Sequence, residues 1–415
     1  MAKQVFDIVV IGAGIIGVSA ALELQARGRT PLLIDRKGIA AETSRGNAGA
    51  FAFSEVEPLA TPGIMRRAPK WLLDPLGPLS IPPAYALKIA PWMLKFWRAS
   101  WADRYDDAVA AQTRLMQHCE AAFERQLARF GDPKMIRREG QLELYEGAQD
   151  FERARPKWQR RADLGIAVEL LQDPDQIAKI QPGLSRKFTH AGFTPGWFNT
   201  TDPQKWAESL ARRYLDQGGA YQDRDIHDIT TTSNRVEIIS DRGSLAAKQV
   251  VICAGAWSHK LAAKIGDTIP LETERGYNTT FANASVELKT HLTFSAHGFV
   301  ISKIGSGLRI GGAVELGGLD LPPNYRRAEV LVDKAKAFMP GVDLTDGTQW
   351  MGYRPSLPDS LPVIGPSGAG DQIIYAFGHG HVGLTQSAGT AELVADLAAR
   401  TKPAIDLSPF VAARF

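Results

Sequence analysis

Cysteine is scarce in this 415-residue chain: only Cys119 and Cys253 occur, each among apolar neighbours. Neither belongs to a Cys-x-x-Cys or mixed Cys/His array, so no disulfide framework, zinc site or other metal centre is expected. Two buried free thiols suit a reducing cytoplasm. Long apolar runs are missing as well. Residues 8–22, preceded by Lys3, mimic a signal peptide, but Asp7 stands at the edge and glycines interrupt the run. The run also falls short of the about 20 residues that a bilayer span needs. A soluble, cytoplasmic protein is the expectation. Excess charge is lacking too: the formal net charge is +3, with both signs interspersed. That gives no reason to expect a nucleic-acid partner. Neither an internal repeat nor a low-complexity segment is present.

The hydrophobic fraction of 44% supplies ample core. The length suits two or three domains of roughly 100–200 residues. Residues 5–11 read as a buried strand, short, β-branched and bounded by glycine. Residues 14–27 read as a helix stopped by Gly28, and residues 30–34 as a second strand. This is a βαβ unit of the kind that builds a parallel sheet. Residues 58–101 are rich in proline, tryptophan and tyrosine, and look like an excursion from the first domain with no long element before about residue 84. Leu115, Cys119, Phe123, Leu127 and Phe130 have helical spacing over 106–130, ended by Gly131, Asp132 and Pro133. Residues 141–145 alternate like a strand. Asp202 starts a helix with Pro203 in its first position, running to about 215. Residues 236–240 and 249–253 read as strands, and 270–314 as several short ones forming an antiparallel sheet. Residues 329–338 read as helix, 372–376 as strand and 384–400 as helix after a glycine-rich turn.

Gly12-Ala13-Gly14-Ile15-Ile16-Gly17 matches G-x-G-x-x-G. Strand before, helix after and an acid, Asp35, at the end of the next strand make it a dinucleotide fingerprint. Gly12 makes the tight turn, Gly14 admits a pyrophosphate, and Gly17 lets helix and strand pack closely. The helix start at Ile15 and Ile16 offers N–H groups and a favourable dipole. Asp35, with Arg36 beside it, is placed to meet the adenosine ribose. The motif does not separate FAD from NAD.

Three further segments do. Glu42-Thr43-Ser44-Arg45-Gly46-Asn47-Ala48-Gly49, Val250-Val251-Ile252-Cys253-Ala254-Gly255-Ala256-Trp257 and Gly352-Tyr353-Arg354-Pro355-Ser356-Leu357-Pro358-Asp359 occur in that order, the last followed by Leu361-Pro362-Val363-Ile364-Gly365. Together they resemble the D-amino acid dehydrogenase and glycine oxidase family of FAD-dependent enzymes. Gly378-His379-Gly380-His381-Val382-Gly383-Leu384-Thr385 resembles that family's closing loop and helix start beside the flavin. The resemblance covers nearly the whole chain and is loose within residues 60–200. It implies FAD as cofactor. Thr43, Ser44, Asn47, Ala48 and Gly49 would pass along the pyrophosphate and ring. Ala254, Gly255 and Trp257 would close over the phosphates, Ile226 would meet adenine, and Gly380, His381, Gly383, Leu384 and Thr385 would adjoin the ring. No cysteine lies near residues 350–353, where some relatives carry a covalent flavin link, so non-covalent FAD is implied.

Arg354 inherits the role of gripping the substrate carboxylate, which a guanidinium does bidentately. Tyr353 departs from the family's usual leucine. Tyr277 matches a tyrosine whose hydroxyl either lines the substrate cavity or packs in the core. His379, on the catalytic side, and His381 either meet flavin and substrate or serve as turn residues. The expected fold is α/β, a Rossmann-like FAD-binding domain (residues 1–60, 200–262 and 345–415). An α+β substrate domain on an antiparallel sheet (61–199 and 263–344) is inserted into it. The implied reaction is oxidative deamination of a D-amino acid, hydride passing from the α-carbon to flavin N5, with D-proline or cis-4-hydroxy-D-proline as cyclic candidates. The electron acceptor would be a quinone, another carrier or oxygen. Alternatives are a sarcosine or glycine oxidase, a flavoprotein subunit of a multi-subunit amine dehydrogenase, or an NAD-dependent dehydrogenase. Residues 85–101 set Lys88, Lys95 and Arg98 among aromatics, so a peripheral contact with the inner face of the membrane stands beside the reading of a packed helix.

Overall fold

The computed structural model describes residues 5–66, 77–284 and 286–415; part of the proline-rich stretch thus lies outside the described residues. Two large sheets organise the chain. In the first, the strands run Ala220–Asp223, Pro31–Asp35, Val5–Ile11, Gly243–Ile252, Val236–Ser240 and Ile226–Thr231 in spatial order. The central strand Gly243–Ile252 is shared. Its first half pairs antiparallel with Val236–Ser240, and its end pairs parallel with Gly370–Phe377, which in turn pairs with Val363–Ser367. Val5–Ile11 is enclosed on both faces, which is why it reads as a continuous apolar run rather than an alternating one. The helices Ile15–Ala26, Pro203–Asp216 and Gly383–Ala398 cover one face through Val18, Leu22, Trp206, Leu210, Leu384 and Val394. Asp202 caps its helix by accepting from the N–H groups of Gln204 and Lys205, ahead of Pro203, as the sequence indicated.

The second sheet has nine strands. Its main path is Thr348–Ser356, Glu272–Phe281, Gly307–Leu316, Phe299–Ile304, His291–Phe294, Gln141–Tyr145, His190–Thr194 and Glu169–Leu171. It is antiparallel except where His291–Phe294 meets Gln141–Tyr145 and where Leu79–Ser80 joins Gly307–Leu316. Its two faces do different work. Phe281, Ile310, Ile301 and Phe299 pack beneath the helix Arg326–Phe338. The opposite face carries Asn278, Arg309, Glu274 and Arg354 toward the first sheet.

An α/β Rossmann-like domain with a second domain on a largely antiparallel sheet is therefore the architecture. Two boundaries need correcting. Residues 348–356, placed with the nucleotide domain from sequence, form the edge strand of the nine-stranded sheet, in unbroken register with residues 272–280. The Gly352–Asp359 motif drew them to the flavin side, but backbone pairing decides membership. The helix Ala102–Phe130, placed with the substrate domain, packs into the nucleotide-domain core through Leu115, Cys119 and Phe123. Gly389 makes that approach close: a Cβ there would lie 2.4 Å from Cys119 Sγ.

Behind the second sheet lies a buried ion pair. Arg275, with no exposure, donates to Glu315 Oε1 at 3.0 Å and to the carbonyls of Gly318, Leu321 and Pro322. Removing one partner leaves the other charge buried, which costs about 3–5 kcal/mol. Arg275→Met should lower the unfolding free energy by about that amount in denaturant titration; a loss under ~1 kcal/mol would show that the network contributes little.

Candidate functional site

A cavity of about 490 Å³ opens between the strand ends of the first sheet and the edge of the second. Its floor is the glycine turn. Gly12 has φ +107°, and a Cβ there would stand 2.4 Å from the Cys253 carbonyl oxygen. At Gly17 a Cβ would meet the Gly12 carbonyl oxygen at 1.8 Å. Both positions therefore require glycine. Gly14, Ile15 and Ile16 border the cavity at the start of their helix, whose first turn holds no acid. A second helix, Gly383–Ala398, begins at the same cavity with Gly383 and Leu384, again without an acid or a side-chain cap. Two positive dipole ends thus converge on one space.

Asp35 lines the cavity and also builds it. Its Oδ2 accepts from Ala13 N–H at 2.8 Å, and its Oδ1 accepts from Lys37 and Gly38. A carboxylate offers about four acceptor positions, so one remains on Oδ2 for a ligand hydroxyl. Arg36 lies 4.3 Å over the Trp257 ring, and Ile226, Ala254 and Gly255 complete that end. The loop 43–49 forms the opposite wall. Ser44 Oγ accepts from Ile15 N–H at 2.9 Å, Thr43 Oγ1 donates to the Tyr353 carbonyl at 2.7 Å, and Asn47 Oδ1 accepts from Gly49 N–H at 2.7 Å. Thr43, Ser44 and Asn47 border the cavity.

Residues from the second sheet hold this loop, and sequence reading missed them. Asn278 Nδ2 donates to the Gly46 carbonyl at 3.0 Å. Arg309 Nη1 donates to the carbonyls of Arg45 and Asn47. Burial pushes the Arg309 guanidinium down to about 10. Trp350 lies flat on Gly46 and Gly352, where a Cβ would fall 1.9 and 1.8 Å from its ring. Lys260, Lys264, Arg224 and His227 at the mouth were missed as well. No local signal marks any of these; Asn278, Arg309 and Trp350 reach the loop only through the pairing of the second sheet.

Gly380 and His379 also border this cavity, whereas Gly17, Ala48, Gly49, Thr385, Tyr277, Arg354 and His381 do not. Gly17, Ala48 and Gly49 stand behind its wall. Thr385 is turned to the strand at residues 50–51, its Oγ1 accepting from Ala52 N–H at 2.9 Å. Tyr277 is a correction. Opposed residues of the ladder share a face, and the pairs Glu274–Arg354 and Tyr277–Met351 put Tyr277 on the face away from Arg354. Its hydroxyl donates to Glu315 Oε2 at 3.1 Å and accepts from Asn324 N–H. It packs in the core.

Arg354 is half-buried on the edge strand of the second sheet. Its guanidinium lies on Gly276, where a Cβ would be 2.2 Å from Nη2, and Nη1 donates to the Ala313 carbonyl at 3.0 Å. Burial lowers its pKa while Glu274 raises it. His379 borders the cavity and pairs with Thr390 Oγ1 at 3.0 Å; burial pushes its imidazole down to about 3. It is neutral at neutral pH and holds no proton for acid catalysis. His381, by contrast, is exposed and borders a second, smaller cavity.

The family model for FAD dependent oxidoreductases matches residues 7–397. The chain belongs to that family, and FAD is its cofactor. It is 34% identical over 417 residues to a D-amino-acid oxidase of Bradyrhizobium diazoefficiens, covering 98% of each chain. It is 29% identical over 416 residues to a D-amino acid dehydrogenase of Rhizobium rhizogenes, covering 98% of this chain and 99% of that one. Among solved structures, glycine oxidase from Geobacillus kaustophilus superposes with a TM-score of 0.78 at 22% identity, over the whole of both chains. L-proline dehydrogenase from P. horikoshii gives 0.77 at 18% identity, over 100% of this chain and 98% of that one. The cavity fits the cofactor: a glycine cradle that a Cβ would fill, two helix starts without acids, and one free acceptor on Asp35.

His379 carries a pH prediction. Its folded pKa lies below the ordinary 6.5, so the unfolded chain binds the extra proton. Its contribution is complete above pH 6.5 and is lost as pH falls toward 3. At pH 5 the loss amounts to about 2 kcal/mol. Denaturant titrations at pH 7 and pH 5 should show a smaller drop for His379→Gln than for the wild type. Equal drops would mean that this imidazole does not resist protonation.

Proposed function

We propose that the protein oxidises the carbon–nitrogen bond of a D-amino acid. The α-carbon gives up a hydride, and the imine hydrolyses to a 2-oxo acid and ammonia. The observation that carries this reading is Arg354, a half-buried guanidinium next to Pro355, which lines the large cavity, and opposite Glu274, which lines the small one. The relatives named as acting on D-amino acids support it. Bound FAD supplies the two-electron acceptor. Arg354 takes the substrate carboxylate through the part of its fork not committed to Ala313, fixing the plane of the substrate. Held so, the α-carbon is presented in one orientation. The helix start at Gly383 favours negative charge at the adjoining end of the cavity. Neutral His379 stiffens the turn through Thr390. FAD is held without a covalent link by the glycine turn, Asp35 and the loop 43–49.

Anaerobic bleaching of flavin absorbance across D- and L-amino acids, glycine and sarcosine tests the reading; D-proline and cis-4-hydroxy-D-proline are the cyclic members of that panel. Bleaching by D-forms is expected, and an oxidised flavin with every amino acid would sink the proposal. Arg354→Met should raise KM for amino acids about a hundredfold with FAD retained. An unchanged KM would remove Arg354 from the site.

The acceptor side of the reaction has its own candidate surface. The helix Ala86–Ala99 contains no acid and exposes Leu87 (92%), Leu94 (63%) and Trp97, while Lys88, Lys95 and Arg98 supply positive charge. Among the described residues no helix is long and apolar enough to cross a membrane. We infer that this helix lies on an anionic membrane surface, where a quinone acceptor is reached. Flotation with phosphatidylglycerol vesicles should carry the protein, and Leu87→Glu with Leu94→Glu should leave it behind. Wild-type protein that stays in the dense fraction would refute the contact.

A further inference from the structure

Glu274 stands directly opposite Arg354 in the ladder, so both side chains leave the same face of the sheet. Glu274 is only 5% exposed. The Glu274 charge raises the Arg354 pKa against the effect of desolvation. Yet among the described residues the two close neither a hydrogen bond nor an ion pair, because the guanidinium leans away across Gly276 to the Ala313 carbonyl. A buried carboxylate near a cation but out of contact with it is an expensive arrangement unless something else satisfies it.

The space beside Glu274 shows what that is. It borders the second cavity, about 20 Å³, formed with the loop from Gly378 to Val382. That is room for one group the size of a water. The wall includes Glu55, Glu57 and Glu274 and no lysine or arginine. Glu55 is neutralised from behind by Arg161 at 2.7 Å, and Glu57 accepts from the Tyr105 hydroxyl with Arg160 at 3.8 Å. Ser356 Oγ borders the same cavity, buried and without a hydrogen-bond partner. His381, exposed to solvent on its outer side, also borders it.

Charge balance then selects the occupant. On the reading of Arg354 given above, its charge is met by the substrate carboxylate. The amine that loses hydride from its α-carbon must be neutral. Glu274 is then left facing no cation unless the substrate brings a second one. A terminal ammonium is the size of a water and carries three donors, for which Glu274 and Ser356 Oγ are acceptors. We propose that the site prefers a basic amino acid whose side chain ends in a primary ammonium, and that Glu274 is the residue that selects it.

D-Lysine and D-norleucine share a four-carbon side chain and differ by that ammonium alone. Anaerobic flavin reduction of the holoenzyme by each gives kcat/KM for the pair. The wild type should favour D-lysine by about tenfold or more, and Glu274→Gln should erase the preference, with FAD content reporting that the variant is folded. Ser356→Ala should reduce the preference in the same direction and serves if Glu274→Gln does not fold. Equal rates with the two substrates in the wild type would overturn the proposal while leaving D-amino acid oxidation intact. So would a preference that Glu274→Gln leaves unchanged. A flavin reduced by neither substrate nor by any other D-amino acid would instead sink the reading on which the proposal rests.

Discussion

Arg354 lies half-buried on the backbone of Gly276, giving one N–H to the carbonyl of Ala313. Partial loss of a guanidinium's hydration is costly unless its surroundings offset it. Three local features do part of that work. Gly276 has no Cβ, so the guanidinium can rest against the ladder. Opposite it the register slips: Arg275 pairs with Glu315 but Tyr277 with Gly312, so that Ala313 and Val314 together face Gly276. This is a bulge, and bulges re-aim what they carry. Ala313 takes φ +56°, a conformation that L residues adopt at some cost, and its carbonyl meets the arginine. Missing side chain, extra residue and strained dihedral all converge on one cation.

The same sheet face explains how two domains share one site. Arg309 and Asn278 hold three consecutive carbonyls of the loop 45–47, and Trp350 covers the glycine in its middle. The loop's other side gives Ser44 Oγ to the start of the first helix. One segment is thus fixed to both sheets, and the distance between the glycine turn and Arg354 is set by hydrogen bonds rather than by loose packing. Burying Arg309 without an acid in contact is costly, which its lowered pKa records.

What the sequence showed was local. The glycine turn, Asp35, the Asp202 cap and the strand at residues 5–11 each follow from a few adjacent residues whose conformational needs are plain. What stayed hidden depends on pairing across long separations. Residues 272–281 are buried nearly throughout, so alternation does not tell which face meets the flavin loop. Without register, Tyr277 was as good a candidate as Glu274; with it, Tyr277 belongs to the helix-covered face and Glu274 to the face of Arg354. The boundary at residues 348–356 failed for a related reason: a motif says what a segment touches, not which sheet its backbone completes. An acid for cationic groups was not obvious in the sequence because it stands 80 residues from the arginine it faces.

The electrostatics of the interior give a second argument for where the site lies, independent of any motif. Most buried acids here carry their own cation. Arg161 holds Glu55 at about 2, Lys157 and Ser295 hold Glu143 below the usual carboxylate range, and Arg275 meets Glu315 at 3.0 Å. Such pairs cancel locally and leave the cavities beside them nearly neutral. Arg354 and Glu274 are arranged otherwise, opposed in register and out of contact, the acid buried and the cation half-buried. A fold that pairs its buried charges elsewhere has little structural reason to hold these two apart. Recognition of a ligand with separated charges supplies one, since the energy withheld from the pair is then released on binding.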